Sequence, residues 1–242
     1  MTERAAEIAA GLRSVRARLL DACREAGRAE HSVQLLAVTK NFPASDVAHL
    51  YDLGCTAFGE AREQEATPKV AELAELRPDA GVRWHVVGRL QRNKARAVAR
   101  WAHRVESVDS ERLLTALERA TDKAIADGAR RDPLEVLIQV SLDADPSRGG
   151  CPEQELSALL ARAAEAEHLT LRGLMAVAPL GADPDAPFLR MRQLRDAAQG
   201  QYPGADELSI GMSQDLESAV RHGSTCVRVG TALLGSRPIA ST

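Results

Sequence analysis

The amino-acid sequence predicts a single (β/α)8 barrel of the TIM type with an extra helix in front of it. The chain has 242 residues, close to the length of one such barrel. Short apolar segments rich in branched residues alternate with stretches of helical periodicity, and eight such segments are the number that closes a parallel barrel. No G-x-G-x-x-G motif follows the first predicted strand and no G-x-x-x-x-G-K-[ST] motif occurs, which weighs against a doubly wound nucleotide-binding sheet. We predict one domain over residues 1–242.

The first elements follow from hydrophobic spacing. An opening helix is predicted by apolar residues that recur about every 3.6 positions, namely Ile8, Leu12, Val15 and Leu19. Residues 33–38 form a continuous apolar run, which is typical of a parallel strand covered on both faces. The next helix is predicted to begin just after Pro43 and to end at Gly54, because proline favours the start of a helix and glycine its end.

The same alternation predicts the remaining elements. Further strands are predicted at residues 55–59, 83–88, 104–108, 134–142, 171–178, 208–211 and 227–234. Helices are predicted between them at residues 62–76, 91–102, 109–128, 152–167, 185–198 and 214–222. Asp109 or Ser110 is the expected N-cap of the third of these helices, since short polar side chains cap free backbone N–H groups.

Composition excludes several classes of function. The net charge is -3 over 31 basic and 34 acidic residues, so no broad attraction to nucleic acid is expected. One local basic cluster, Arg89, Arg92, Lys94 and Arg96, is interpreted as a solvated helix face. No apolar run reaches the roughly 18 residues that a membrane helix needs, and the N-terminus lacks the apolar region of a signal peptide.

The cysteines indicate a reducing environment. The four residues, at positions 23, 55, 151 and 226, lie far apart and include no pair with zinc-binding spacing. Scattered free thiols suit the cytoplasm, where we expect the protein to remain, and no metal site is predicted. Cys23 and Cys55 are expected to act as small hydrophobic residues.

Lys40 is the first candidate for chemistry. In a (β/α)8 barrel the active site lies at the carboxyl ends of the strands, and Lys40 ends the first apolar strand. We expect its amine to be partly buried at the barrel mouth. Partial burial favours the neutral amine, which condenses with an aldehyde. Taken alone, Lys40 could equally be a solvated lysine at a strand end.

The last two strands end in turns that suit a phosphate. These turns are Ser209-Ile210-Gly211-Met212-Ser213 and Gly230-Thr231. Glycine allows close approach of the backbone, and serine or threonine adds a hydroxyl donor. Loops after strands seven and eight bind phosphate in many barrels. A phosphorylated aldehyde and a sugar phosphate fit this pattern equally well, with Glu60 or Asp109 available as a base in the second case.

Eight segments occur in an order and spacing that define a resemblance. They are Ala37-Val38-Thr39-Lys40, Gly59-Glu60 with Gln64-Glu65, Trp84-His85 leading to Gly88, Leu90-Gln91-Arg92-Asn93-Lys94, Ser107-Val108-Asp109-Ser110, Gly173-Leu174-Met175, Leu208-Ser209-Ile210-Gly211-Met212-Ser213, and Val227-Arg228-Val229-Gly230-Thr231-Ala232 closing at Gly235. Through them residues 33–237 resemble the pyridoxal-phosphate homeostasis protein family, single-domain relatives of the alanine racemase N-terminal barrel.

The resemblance implies a fold-type III barrel that binds pyridoxal 5′-phosphate (PLP) as an internal aldimine on Lys40. It implies phosphate contacts for Ser209, Gly230 and Thr231, and a place for Arg228 beside the pyridine nitrogen. A guanidinium keeps its proton, so it disfavours protonation of that nitrogen and weakens the cofactor as an electron sink. The full set of expected cofactor-binding residues is Lys40, His85, Ser209, Gly211, Met212, Arg228, Gly230 and Thr231.

Two positions qualify this assignment. His85 is expected on the cofactor side of the barrel, but a lone histidine at a strand end can instead be structural, with its ring nitrogens bonded to nearby groups. After Gly59-Glu60 the family usually has Asn, whereas this chain has Ala61. The missing amide puts one polar contact with the cofactor, and part of the affinity, in question.

The function implied by the resemblance is buffering, carrying or delivery of PLP within the cell, with little or no turnover. The expected partners are PLP and apo forms of PLP-dependent enzymes, without nucleic acid or membrane, and we expect a monomer. The alternative is an amino-acid racemase, which needs two acid/base groups on opposite faces of the cofactor. Only Lys40 is evident, Tyr51 and Tyr202 are expected on helix surfaces or loops, and the end at Thr242 leads us to expect no second domain.

Overall fold

Eight parallel strands close into a barrel in the order in which they occur along the chain. The computed structural model describes residues 2–143, 145, 148–179, 181 and 183–235. The strands are β1 (Gln34–Val38), β2 (Ala57–Glu60), β3 (Arg83–Val86), β4 (Arg104–Val108), β5 (Leu134–Gln139), β6 (Leu169–Met175), β7 (Glu207–Ser209) and β8 (Cys226–Val229). The predicted (β/α)8 barrel is therefore confirmed.

Helices connect the strands and cover the outside of the barrel. They are α1 (Glu3–Glu25), α2 (Ala44–Asp52), α3 (Glu63–Leu76), α4 (Ala95–Trp101), α5 (Glu111–Ala126), α6 (Glu153–Ala164), α7 (Asp185–Gln201), α8 (Leu216–Arg221) and α9 (Thr231–Leu234). A 3₁₀ turn, Arg92–Lys94, precedes α4. None of the helices in the described ranges is long and apolar enough to cross a membrane.

The predicted extra helix is α1, and it covers the seam of the barrel. Its residues Ile8, Leu12 and Val15 are 0%, 2% and 1% exposed. The helix packs against α2, α8 and α9, on the side where β1 meets β8. A Cβ atom on Gly11 would lie 2.6 Å from the backbone oxygen of Leu233, so glycine is needed where α1 crosses α9.

The chain after β8 differs from the prediction. A strand was predicted over residues 227–234, but β8 ends at Val229 and Thr231–Leu234 form α9. The backbone oxygen of Gly230 accepts hydrogen bonds from the N–H groups of Leu233 (2.9 Å) and Leu234 (3.0 Å), which turns the chain into a helix. Alanine and leucine favour helices, and an apolar run alone does not distinguish a buried helix from a strand.

Charged groups close the amino-terminal end of the barrel. Arg104 is 4% exposed. It donates from Nε to Glu135 Oε2 (2.8 Å) and from one terminal nitrogen to Glu207 Oε1 (2.7 Å). Burial by itself lowers the pKa of Arg104, but the hydrogen bonds and charges of Glu207 and Glu135 outweigh burial and raise it. The guanidinium therefore stays charged inside the protein.

The cysteines occupy apolar surroundings. All four are free and buried, and Cys23 and Cys55 belong to the main hydrophobic core, as predicted. Burial raises the pKa of Cys151 to about 12, with nearby Glu155 adding to the effect. A thiol with a raised pKa is a poor nucleophile at neutral pH.

Candidate functional site

Lys40 lies in a tight turn directly after β1. The Thr39 N–H donates to the backbone oxygen of Gly59 (2.9 Å), and the Phe42 N–H donates to that of Thr39 (3.1 Å). Asn41 completes the turn with a φ of 65°, in the left-handed region that asparagine tolerates better than most residues. Lys40 is exposed, so the predicted partial burial of its side chain is wrong.

Lys40 also differs from the three other lysines of the chain. Lys69 pairs with Glu60 at 2.7 Å, Lys94 with Glu63 at 3.2 Å, and Lys123 with Asp127 at 2.6 Å. No carboxylate of the described residues lies within ion-pair distance of the Lys40 amine. Lys40 is therefore the one lysine without a carboxylate partner among the described residues.

A buried polar network supports the turn from below. The Lys69 amine donates to the backbone oxygen of Thr39 (2.8 Å) and to Glu60 Oε1 (2.7 Å), and the Thr39 hydroxyl donates to the same carboxylate oxygen (2.6 Å). Burial raises the pKa of Glu60, although Lys69 and Thr39 counteract the effect. Because these bonds span β1, β2 and α3, they fix the backbone on which Lys40 stands.

A second polar network lies in the barrel interior. His85 Nδ1 is 2.7 Å from Glu106 Oε1, and the Ser209 hydroxyl donates to Glu106 Oε2 (2.6 Å). Arg228 donates to the hydroxyl and the backbone oxygen of Ser209, both at 2.7 Å, and to the backbone oxygen of Ala176 at 2.7 Å. His85 is 1% exposed and its Nε2 has no hydrogen-bond partner among the described residues.

Glu106 remains ionised at the centre of this network. Complete burial on its own raises the pKa of its carboxyl. The hydrogen bond and charge of His85, the charge of Arg228 and the Ser209 hydroxyl outweigh burial and lower the pKa to about 2. The carboxylate therefore orients Ser209, which in turn holds the Arg228 guanidinium.

Two glycines shape the wall of the mouth at β7 and β8. Gly211 has a φ of 95°, and a Cβ atom there would lie 2.4 Å from Ala219 Cβ. A Cβ on Gly230 would lie 3.1 Å from the backbone oxygen of Val38. Gly230 therefore brings the start of α9, with the exposed Thr231, against the strand that ends at Lys40.

The polar groups of Ser209 and Met212 already have partners within the protein. Ser209 is 0% exposed, and its hydroxyl donates to Glu106 and accepts from Arg228. The Met212 N–H donates to Asp215 Oδ1 (2.5 Å). The expected contacts of both residues with the cofactor stay predictions.

Glu106 and Lys69 were not recognised as site residues from the sequence. Each leaves a signal that could have been used. Glu106 is a charged residue in a strand whose five residues are all buried. Lys69 falls on the apolar face of α3, three residues after Ala66 and four before Leu73. A charge on a buried face needs a partner inside the protein, so both positions predict polar networks.

The fold and the site together define a single barrel of the alanine racemase N-terminal type, with an accessible amine at its mouth. The sequence profile of that family, described as alanine racemase, N-terminal domain, matches residues 14–238. The chain belongs to the pyridoxal phosphate homeostasis protein family. Relatives with that name from Mycobacterium tuberculosis and Escherichia coli are 50% and 39% identical, over 99% and 96% of this chain and 96% and 97% of their own length.

A solved relative has the same fold. PipY of Synechococcus elongatus, whose structure was determined with PLP bound, is 37% identical and superposes with a TM-score of 0.80. The match covers 94% of this chain and 100% of PipY.

The Glu106 carboxylate predicts a pH dependence of stability. Its pKa of about 2 in the folded protein lies below the ordinary value of 4.5. The ionised group therefore stabilises the fold above about pH 4.5, and this contribution is lost as the pH falls toward 2. We expect Glu106→Gln to remove about 3 kcal/mol of pH-dependent unfolding free energy in that window, measured by urea unfolding at a series of pH values.

The matched control is Glu75→Gln, which changes an exposed carboxylate on α3. It should leave the pH dependence of the unfolding free energy as in the wild type. A Glu106→Gln protein that loses stability on acidification as steeply as the wild type would contradict the assignment.

Proposed function

We propose that the protein binds PLP covalently through the Lys40 amine and serves the intracellular homeostasis of this cofactor. The observation that carries the proposal is the accessible Lys40 amine, which has no carboxylate partner among the described residues. When bound, PLP supplies an aldehyde that reacts reversibly with amines. Reversible attachment suits buffering, carrying and delivery.

The residues around Lys40 fit PLP. Gly230 lets the chain before α9 pack closely against Val38, and the segment that begins at Thr231 offers backbone N–H groups and an exposed hydroxyl to a phosphate. Arg228 has N–H groups beyond the three that bond Ser209 and Ala176, and we assign them to the pyridine nitrogen. His85 would contribute its Nε2.

Several features favour carriage over catalysis. Tyr51 lies near the end of α2 and Tyr202 directly after α7. In a (β/α)8 barrel these helix ends lie on the face opposite the strand ends that carry Lys40. Lys69, whose amine lies under the Lys40 turn, is held by Glu60 and Thr39. Lys40 is the one acid/base group that we assign to the cofactor, and together with a guanidinium at the pyridine nitrogen this gives little scope for racemisation.

The wider setting is also part of the proposal. We place the protein in the cytoplasm as a monomer, with apo forms of PLP-dependent enzymes as recipients of the cofactor. The buried free thiols support a reducing compartment.

The covalent link is tested by Lys40→Ala. This variant should lose the visible absorbance band of the loaded protein and the PLP that borohydride fixes to the chain, while its circular dichroism stays unchanged, because the exposed Lys40 side chain contributes little to packing. Lys94→Ala is the control and should keep both signals. Borohydride-fixed PLP on another lysine in Lys40→Ala would show that the assignment is wrong.

The hydroxyls of Thr231 and Ser209 should contribute differently to the affinity for PLP. Thr231→Val removes one hydrogen bond to a charged phosphate, worth about 1.5–3 kcal/mol, so the Kd of PLP should rise roughly ten-fold or more. Binding of pyridoxal, which lacks the phosphate, should be unchanged. Ser209→Ala should weaken PLP and pyridoxal together, because it acts through Arg228. A Ser209→Ala protein whose Kd rises for PLP but not for pyridoxal would contradict this difference between the two residues.

The carrier function is distinguished from a racemase by hydrogen exchange. In deuterated water, exchange at Cα of alanine or serine should stay near the rate given by free PLP, since Lys40 is the only acid/base group that we assign to the cofactor. Proton NMR measures the loss of the Cα proton, and chiral chromatography measures the optical purity of the amino acid. Rapid incorporation of deuterium with loss of optical purity would restore the racemase alternative.

A further inference from the structure

A basic cleft opens at the barrel mouth beside the Lys40 turn. Its volume is about 1070 Å³, and it lies between the loops that follow β2, β3 and β4. We call this surface the basic cleft, because five cationic side chains line it, those of Arg62, Arg89, Arg92, Lys94 and Arg112. Only two carboxylates, those of Glu63 and Asp109, line it. The sequence suggested a solvated helix face for part of this cluster, but the fold gathers it around a concave surface.

Part of this positive charge is not neutralised locally. Lys94 pairs with Glu63 at 3.2 Å, and Arg62 pairs with Glu65 at 2.8 Å. Arg92 and Arg112 are exposed, and neither has an ion-pair partner among the described residues. Both also line a second depression of about 460 Å³, where Arg119 adds a positive charge and Glu111 a negative one. The cleft therefore carries a net positive field that opens to solvent.

The cleft adjoins the proposed cofactor site through Ala61. Val38 pairs with Gly59 across β1 and β2, and Lys40 and Ala61 each follow that pair by two residues at the same edge of the barrel. Ala61 lines the cleft. A Cβ on Gly88 would lie 2.3 Å from the backbone oxygen of Ala61, so the loop that carries Arg89 and Arg92 begins against the same residue. The cleft therefore opens at the barrel edge that also carries Lys40.

We propose that the basic cleft is a capture site for the phosphate of free PLP, which it draws toward Lys40 before the covalent bond forms. This inference rests on the proposed function. A phosphate monoester carries between one and two negative charges at neutral pH. A concave surface of one charge sign concentrates the opposite ion and raises association rates by about 10 to 10³. The cleft lies on the side of the mouth formed by β2 to β4, away from the wall at β7 and β8, so it acts on encounter rather than on the bound state.

The test measures the rate at which the apo protein captures PLP. Stopped-flow absorbance in the visible range gives a second-order rate constant for Arg92→Glu/Arg112→Glu and for the wild type. At about 10 mM salt, where the Debye length is about 30 Å, the double variant should bind PLP about ten-fold more slowly. At about 150 mM salt, where the Debye length is about 8 Å, the difference in rate constant between the double variant and the wild type should become smaller. Arg92→Gln/Arg112→Gln should be intermediate.

Two controls make the result specific. Arg83→Glu/Arg131→Glu makes the same change in net charge at two exposed positions on the opposite face of the barrel, the first residue of β3 and the loop before β5, and should keep the wild-type rate. Pyridoxal should react with the cleft variant at the wild-type rate, because it has no phosphate to attract. The spectrum of the fully loaded variant should match that of the wild type, since Lys40 is untouched.

The inference is overturned if the cleft variant captures PLP at the wild-type rate, if it slows PLP and pyridoxal equally, or if the control pair slows PLP as much. Failure of the proposed function would look different, because the wild type itself would then develop no visible band.

Discussion

The pairing of β1 with β8 is the contact on which the rest of the structure depends. It closes the sheet, so no strand edge is left open for pairing with another chain. It also joins the two ends of the folded region, with Ala37 opposite Val229. That register sets Gly230 against β1 and so brings the start of α9 to the turn that carries Lys40. An amine and a glycine-shaped wall from opposite ends of the sequence share a site because the barrel closes there, and α1 protects the seam from outside.

The barrel interior is unusually polar, and its two clusters of charged and polar side chains, one around Arg104 and one around Glu106, play different parts. A (β/α)8 barrel is ordinarily filled by branched apolar side chains. Here Arg104 is paired with two carboxylates at the amino-terminal end, and Glu106 with His85 and Ser209 further along the strands. Buried charges are costly unless they are paired and hydrogen-bonded. The Arg104 cluster pairs its charges internally and closes the amino-terminal end of the barrel. The Glu106 cluster leaves N–H groups of Arg228 and the Nε2 of His85 without protein partners among the described residues, so these groups can bind a ligand at the mouth.

The sequence predicts the fold well because each strand is a short apolar run and each helix has its own period and boundary signals. Lys40 could be found for the same reason, as a cation directly after an apolar strand. The buried charge of Glu106 indicates that it has a partner, but the sequence does not say which, since the network lies on β3, β4, β7 and β8 and meets only when the barrel closes. Ser209 was matched to a phosphate contact through the family resemblance, whereas the engagement of its hydroxyl by Glu106 and Arg228 depends on the closed barrel. The helix after β8 was missed because Ala-Leu-Leu fits a buried strand and a buried helix alike.

The exposure of Lys40 bears on how the proposed cofactor would be attached and released. Catalytic sites that stabilise charged species exclude water, which strengthens the electrostatic interactions within them. Here the backbone under Lys40 is fixed by Lys69 and Glu60, while its amine stays open to solvent. The fixed backbone positions the Lys40 nitrogen. With PLP attached, open access would let water or an acceptor amine reach the bond between that nitrogen and the cofactor. Deeper burial would slow exchange of the cofactor, and delivery requires release as much as binding. The geometry of the mouth therefore favours reversible attachment over chemistry at a bound substrate.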